Sequence, residues 1–248
     1  MHPILFSIGS LHLYSFGVMV ALGTFVSLFL MSRRARRDGF PEPNDVLDLV
    51  FVTLASGFLG SRLHYVLQNA GWYRVHPLMI FALWEGGLIF YGGMVTALIA
   101  LFVFMKVRKI PYLRGLDFLF LYLPLVHAFG RIGCFLNGCC YGRACALAWA
   151  VKFPELPQPV HPTQLYESVF DIGLFFFLSR RYGKKHFSGE ITALYIMGYA
   201  AGRFVIEFLR AGNPSWMFLT WNQSISVSFF LAGLIFYGVR NAQTRHSN

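Results

Sequence analysis

The chain has 248 residues, of which 56% are apolar and 18% aromatic while only 13% are charged, a composition that fits a polytopic membrane protein better than one or two soluble domains. There is no long polar segment to form a second domain, so a single integral membrane domain over residues 1–248 is expected. The net charge of +10 does not point to nucleic acid, because the basic residues fall in short bursts between apolar runs, the positive-inside pattern of a membrane protein.

The opening stretch MHPILFSIGSLHLY lacks the basic start and small-residue cleavage site of a signal peptide, so the first helix is expected to remain in the mature protein. A transmembrane helix needs about 20 mostly apolar residues. Seven candidates appear in order, at roughly 12–31, 46–68, 86–106, 115–135, 162–179, 190–210 and 223–240. SRRARRDGFPEPND follows the first, KVRKIPYLRG the third, RRYGKKH the fifth and RNAQTRH the seventh, and these segments hold 14 of the 21 basic residues. With seven spans all four lie on one side, which is the cytoplasm; the N-terminus is then outside and the C-terminus inside. The fold class expected is all-α.

This topology makes the remaining basic residues informative. Arg62 and Arg203 fall about 10 Å below the outer surface at 1.5 Å per helical residue, and Arg131 lies nearer the outer end of the fourth span. Tyr91, Glu167, Tyr199 and Glu207 share that depth, with Glu85 and His161 at its edge. Such a coincidence favours a polar cavity facing the outer leaflet over scattered structural ion pairs. Between the second and third spans, residues 69–85 are too short to cross, and Trp72, Tyr73 and Trp84 suit an interfacial helix. The outer loop from Ala144 to Val160 reads as irregular and long enough to cover a site.

Gly130 to Arg143, GRIGCFLNGCCYGR, is the stretch most in need of a reason. A guanidinium near a bilayer boundary requires a counter-charge or a wet cavity, and the glycines around it permit irregular backbone; the alternative is an arginine snorkelling beside a turn. Guanidinium forks match phosphate oxygens, and a phospholipid head group is the abundant anion at this depth. On the sixth span Tyr199, Arg203 and Glu207 recur every four residues and share a face, either as part of a site or as an intrahelical ion pair. WEGGLIFYGGM places Tyr91 between two glycine pairs that also suit helix packing. HPTQLYES opens the fifth span, with His161 as an acid, a base or a cap. Cys134, Cys139, Cys140 and Cys145 do not form a CxxC pair, and adjacent cysteines seldom ligate one zinc well, so no metal site is expected; a disulfide or a reactive thiol are the other readings.

Taken in order, FSIG, FGVMVALG, GSRLHY, WEGGLIFYGG, GRIGCFLNGCCYGR, HPTQLYE and GYAAGRFVIEFLR resemble the prolipoprotein diacylglyceryl transferase family over nearly the whole chain. The resemblance implies transfer of the diacylglyceryl group of phosphatidylglycerol to the lipobox cysteine of a prolipoprotein signal peptide, with release of glycerol 1-phosphate, in the bacterial cell (inner) membrane and facing the periplasmic leaflet. Membrane lipids and the prolipoprotein are the implied partners, nucleic acid is not, and neither a metal nor an organic cofactor is implied. Arg131 and Arg203 would clamp the phosphate, Tyr91 and Tyr199 would position or accept the thiol proton, and Arg62, Asn137, Gly142, His161 and Glu207 would support substrate binding. The chain departs from the family where Tyr91 stands for a usual histidine, and where Cys134 and Cys139 stand for a usual asparagine and glutamate. These departures leave open a paralogous transferase with another acceptor. A lipid or anion transporter and a cysteine-based redox sensor are the rival classes.

Overall fold

The computed structural model describes residues 2–8, 11–82, 86–212, 215–216 and 219–247. A helix emerges at each of the expected positions: α1 (Ser15–Asp38), α2 (Pro43–Gln68), α4 (Phe90–Val107), α5 (Tyr112–Asn137), α6 (Thr163–Tyr182), α7 (Glu190–Glu207) and α8 (Trp221–Ser247). By length and composition four segments are able to cross a membrane: Ser15–Asp38, Asn44–Gln68, Tyr112–Asn137 and Trp221–Arg245, while Tyr91–Val107 is apolar but shorter. α6 and α7 are less apolar because Glu167, Asp171, Glu190, Arg203 and Glu207 lie within them. The expected interfacial helix is a short helix, α3 (Ala70–Val75), followed by a 3-10 turn at Pro77–Phe81, with Trp72 exposed. Trp84 and Glu85 lie outside the described residues.

Two antiparallel hairpins add to the all-α expectation: β1 (Ile4–Ile8) with β2 (Leu11–Tyr14), and β3 (Ser215–Trp216) with β4 (Leu219–Thr220). Strands of two to five residues carry too few positions for an alternating pattern to register in the sequence.

The chain forms two compact units. In the unit Leu30–Gly115, α2 and α4 pack through small residues. A Cβ on Gly60 or Gly93 would run into Thr96 or Ser61, and Thr96 Oγ1 instead donates to the Ser56 carbonyl at 3.0 Å. The paired glycines near Tyr91 thus serve helix packing. Large apolar side chains point outward, among them Phe51 and Leu59 on α2 and Phe102 on α4. In the unit Met1–Phe29 with Leu116–Asn248, Phe229 and Ile235 of α8 are likewise exposed, while Asp117, Glu167, Asp171, Glu190 and Glu207 are buried. Apolar outside and charged inside is the distribution expected of a protein whose solvent is hydrocarbon.

Asp117 is the anchor at one end of this unit. Fully buried on α5, it accepts hydrogen bonds from the backbone of Gly189 (2.9 Å) and Thr192 (3.0 Å), from the Thr192 hydroxyl (3.0 Å) and from Lys185 Nζ (3.0 Å). A carboxylate from a neighbouring helix thereby caps the N-terminus of α7, satisfying amides that have no intrahelical partner. Asp117→Ala is expected to cost about 3 kcal/mol, because it leaves Lys185 and these amides unpaired. Asp48→Ala, which removes an ion pair to the exposed Arg108, should cost less than about 1 kcal/mol. The thermal unfolding midpoint in detergent distinguishes the two.

Candidate functional site

The site is built where α5 ends. After Asn137 the chain turns through Gly138 (φ 75°) and Cys140 (φ 66°), and the turn is tied down from two other helices. Gln164 Nε2 donates to the Cys139 carbonyl at 2.6 Å, Thr163 Oγ1 to the Cys140 carbonyl at 3.0 Å, and Arg210 Nη1 to the same Cys140 carbonyl at 3.4 Å. Gly142 follows at a three-way crossing. Its N–H donates to the His161 carbonyl at 2.9 Å, the Arg143 N–H donates to the Leu209 carbonyl at 2.8 Å, and His161 N–H returns a bond to the Arg143 carbonyl at 3.0 Å. A Cβ on Gly142 would sit 2.8 Å from His161 Cβ and would meet the Leu209 carbonyl oxygen still closer. This is why glycine stands there.

Around the crossing converge three guanidinium groups. Arg131 on α5 pairs with Glu167 on α6 at 2.5 Å. Arg203 on α7 donates to the other oxygen of Glu167 at 3.0 Å and, one turn along its own helix, to Glu207 at 2.9 Å. Arg210, just past α7, lies 3.4 Å from Glu167 and 3.8 Å from Glu207. Glu207 further accepts from Thr220 Oγ1 at 3.1 Å and Asn222 Nδ2 at 2.8 Å. Three guanidinium groups thus meet on two buried carboxylates, with Asp171, also buried, one turn along α6 from Glu167.

Tyr199 lines a narrow cleft with Glu167, Asp171 and Arg203, and its ring stacks on Tyr195 at 5.8 Å. That cleft is too small for a ligand, whereas a cavity of about 630 Å³ beside it in the chain is bounded by Asn137, Cys139, Cys140, Phe153 and Arg210. Phe153, from the loop expected to cover a site, is buried against Phe135 and Tyr141. Asn137 is exposed at the cavity wall. His161 precedes α6 with Nδ1 3.3 Å from the Tyr166 hydroxyl, which in turn accepts from Trp149 Nε1 at 2.8 Å.

All four cysteines are free thiols. The Sγ atoms of Cys134, Cys139 and Cys140 lie within 4.8 Å of one another; Cys145 is not of this group. Hydrogen bonding from Cys134 pulls the Cys140 thiol down to about 4 against the opposing effect of burial, with Cys139, Arg210 and Arg131 adding to the pull. Burial foremost raises Cys139, whose thiol also meets the Asn137 side chain.

Two expected site residues belong to the unit Leu30–Gly115. Arg62 is 6% exposed and commits every guanidinium N–H to a carbonyl: Nε to Ile80 (2.9 Å), Nη1 to Gly86 (2.7 Å) and Gly87 (3.3 Å), Nη2 to Met79 (2.6 Å) and Ala82 (3.2 Å). It fixes the loop before α4. Tyr91 lies in the first turn of α4 and is 68% exposed.

Sequence reasoning singled out Arg131, Arg203, Glu207, Tyr199 and Gly142, which the structure brings into one unit. It did not single out Arg210 or make Glu167 the hub. Both had a signal: Arg210 stands three residues after Glu207 and seven after Arg203, and Gln164, Glu167 and Asp171 fall at helical spacing on one face of α6.

Helices long and apolar enough to cross a membrane, together with three part-buried arginines gathered on buried glutamates, define a polytopic membrane protein with a polar cluster inside one of its units. The chain belongs to the prolipoprotein diacylglyceryl transferase family, whose model matches residues 3–239. It is similar to proteins named phosphatidylglycerol–prolipoprotein diacylglyceryl transferase from Clostridium tetani (33% identical, covering 96% of this chain and 98% of that one), Bordetella parapertussis (34%; 95% and 94%) and Thermotoga maritima (36%; 84% and 74%).

Gly142→Ala is expected to displace the Leu209 carbonyl or His161 and to lower the thermal midpoint by several degrees, about 2 kcal/mol or more. Gly183→Ala, where nothing lies within 4 Å, should leave the midpoint unchanged in the same assay.

Proposed function

We propose that this chain moves the diacylglyceryl group of phosphatidylglycerol onto the lipobox cysteine thiol of a prolipoprotein and releases glycerol 1-phosphate. The observation that carries the reading is the convergence of Arg131, Arg203 and Arg210 on Glu167, with Arg210 in the wall of a cavity. A lipid phosphodiester is a monoanion with oxygens spaced for guanidinium forks, so it matches these donors. The thiol sulfur displaces the phosphate ester at a glycerol carbon. Charge grows on the leaving oxygen as the bond breaks, where Arg131 and Arg203 stabilise it more strongly than in the bound lipid. Glu167 holds the arginines together before the lipid arrives and yields part of its pairing when it does. Tyr199, in the cleft with Arg203 and Glu167, orients the head group. Asn137 shapes the cavity edge, Gly142 allows the backbone crossing with His161, His161 and Glu207 hold their helices in register, and Arg62 secures the loop ahead of Tyr91. The role of Tyr91 toward the incoming thiol is supported by the resemblance of WEGGLIFYGG to the family.

In this reading there are seven spans, with α6 and α7 crossing behind the more apolar helices. The basic last turns of α1, α4 and α6 support a cytoplasmic placement for those ends, and the site then faces the outer leaflet of the bacterial inner membrane.

Purified protein mixed with phosphatidylglycerol and a lipobox peptide should release glycerol phosphate and yield a thioether-linked lipopeptide. Arg131→Ala should abolish release. Arg203→Lys, which keeps a charge but not the fork, should lower kcat/KM by about tenfold or more, or about 1.4 kcal/mol. Inactivity of the unaltered protein under these conditions would refute the reading.

A further inference from the structure

The feature that the transferase reading leaves unused is the trio of thiols where α5 ends. Among the described residues no other group of three or more His, Cys, Asp or Glu side chains converges in this way. Spacing alone argues against the trio, since neighbouring residues in regular backbone point apart. The structure overcomes this by placing Cys140 at φ 66°, a conformation that costs a residue with a side chain about 1 kcal/mol or more. Thr163, Gln164 and Arg210 hold the turn in place through the Cys139 and Cys140 carbonyls. An unfavourable backbone is thus fixed by buried partners, and its result is that three soft ligands face each other.

We propose that Cys134, Cys139 and Cys140 form a trithiolate zinc site whose fourth position takes the substrate thiol and delivers it as a thiolate, an inference that rests on the transferase reading above. Zinc–sulfur bonds of about 2.3 Å in a tetrahedron put sulfurs about 3.8 Å apart, so the trio needs to close by only about 1 Å. Three thiolates and one zinc ion carry net −1. Arg131, one turn before Cys134 on α5, and Arg210, on the Cys140 carbonyl, lie beside this charge. Three protein ligands with one position open is the pattern of reactive rather than structural zinc sites. The cavity reaches this position, because Cys139 and Cys140 form part of its wall.

The reaction has a need that this site meets. An ordinary cysteine thiol has a pKa of about 8.5 and is mostly protonated at neutral pH, so attack by its sulfur needs a group that removes the proton. Coordination removes the thiol proton outright. The peptide S–H gives its proton to solvent water as its sulfur becomes the fourth ligand. The sulfur lone pair then attacks the glycerol carbon, the C–S bond forms, and the C–O bond breaks with its electron pair leaving on the phosphate oxygen beside Arg131 and Arg203. The neutral thioether is a poorer ligand than a thiolate and departs.

The test loads the full-length protein, purified under reducing conditions, with zinc chloride, removes the excess and measures metal per chain. One zinc is expected, falling at least tenfold in each of Cys134→Ser, Cys139→Ser and Cys140→Ser and retained in Cys145→Ser. Cadmium substitution should give a thiolate-to-metal charge-transfer band that the same three variants lose, and gel filtration identifies any variant that fails to fold. Stripping with a chelator should lower peptide lipidation at least tenfold and zinc should restore it. Failure to bind zinc, a disulfide within the trio after reducing purification, or full activity of the stripped protein would overturn the zinc site and leave the transferase reading standing. Stoichiometric zinc without lipidation in any state would overturn the transferase reading and the activation role together.

Discussion

One carboxylate holds the charged cluster together. Glu167 lies within salt-bridge distance of Arg131, Arg203 and Arg210, which come from α5, α7 and the segment after α7. In surroundings of low dielectric, three unscreened guanidinium groups this close would repel one another by several kcal/mol, and an anion among them is what allows them to share a site. The ion pairs do not make a strong argument for stability, since desolvation cancels much of their attraction. They do determine direction. α6 and α7 must turn their charged faces inward to reach each other, and the apolar faces of the remaining helices are left for lipid.

Placement at the two ends of α7 keeps that arrangement rigid. Asp117 caps its first turn from α5, and the crossing of Gly142 and Arg143 with Leu209 and Arg210 fixes the chain beyond its last turn. α6 is fixed at its start by Thr163 and Gln164, both fully buried on the carbonyls of the cysteine turn. Side chains carried on helices secured in this way reach the centre with little freedom left to lose. This preorganisation is what an electrostatic site requires if it is to favour developing charge over the bound ground state.

Much of this was legible in the sequence, for physical reasons that can be named. Long apolar runs interrupted by basic bursts located the helices, and the four-residue recurrence of Tyr199, Arg203 and Glu207 placed them on one face. Depth counting placed Arg131 and Arg203 among the groups that need a partner, because a charge buried among apolar residues must have one, and both meet Glu167. The same count could not distinguish Arg62, because the carbonyls that satisfy it come from an irregular segment with no periodic signal. The meeting of Cys139 with Cys140 was hidden as well. It depends on a left-handed residue that is not glycine, a choice imposed by tertiary contacts and not by local propensity.

Arg62 and the arginines around Glu167 are held in two different ways. Arg62 meets no carboxylate among the described residues, and its five donors all end on backbone oxygens, so nothing is left with which to bind an incoming anion. Its charge is dispersed over dipoles that are part of the fold, and displacing them would cost the loop its conformation. Arg131 and Arg203 instead share the carboxylate of Glu167, with Arg203 also on Glu207, and such partners rotate about their χ angles without disturbing a helix. The two kinds of oxygen therefore differ in what it takes to exchange them: a backbone carbonyl moves only with its loop, whereas a glutamate carboxylate moves by rotation of one side chain.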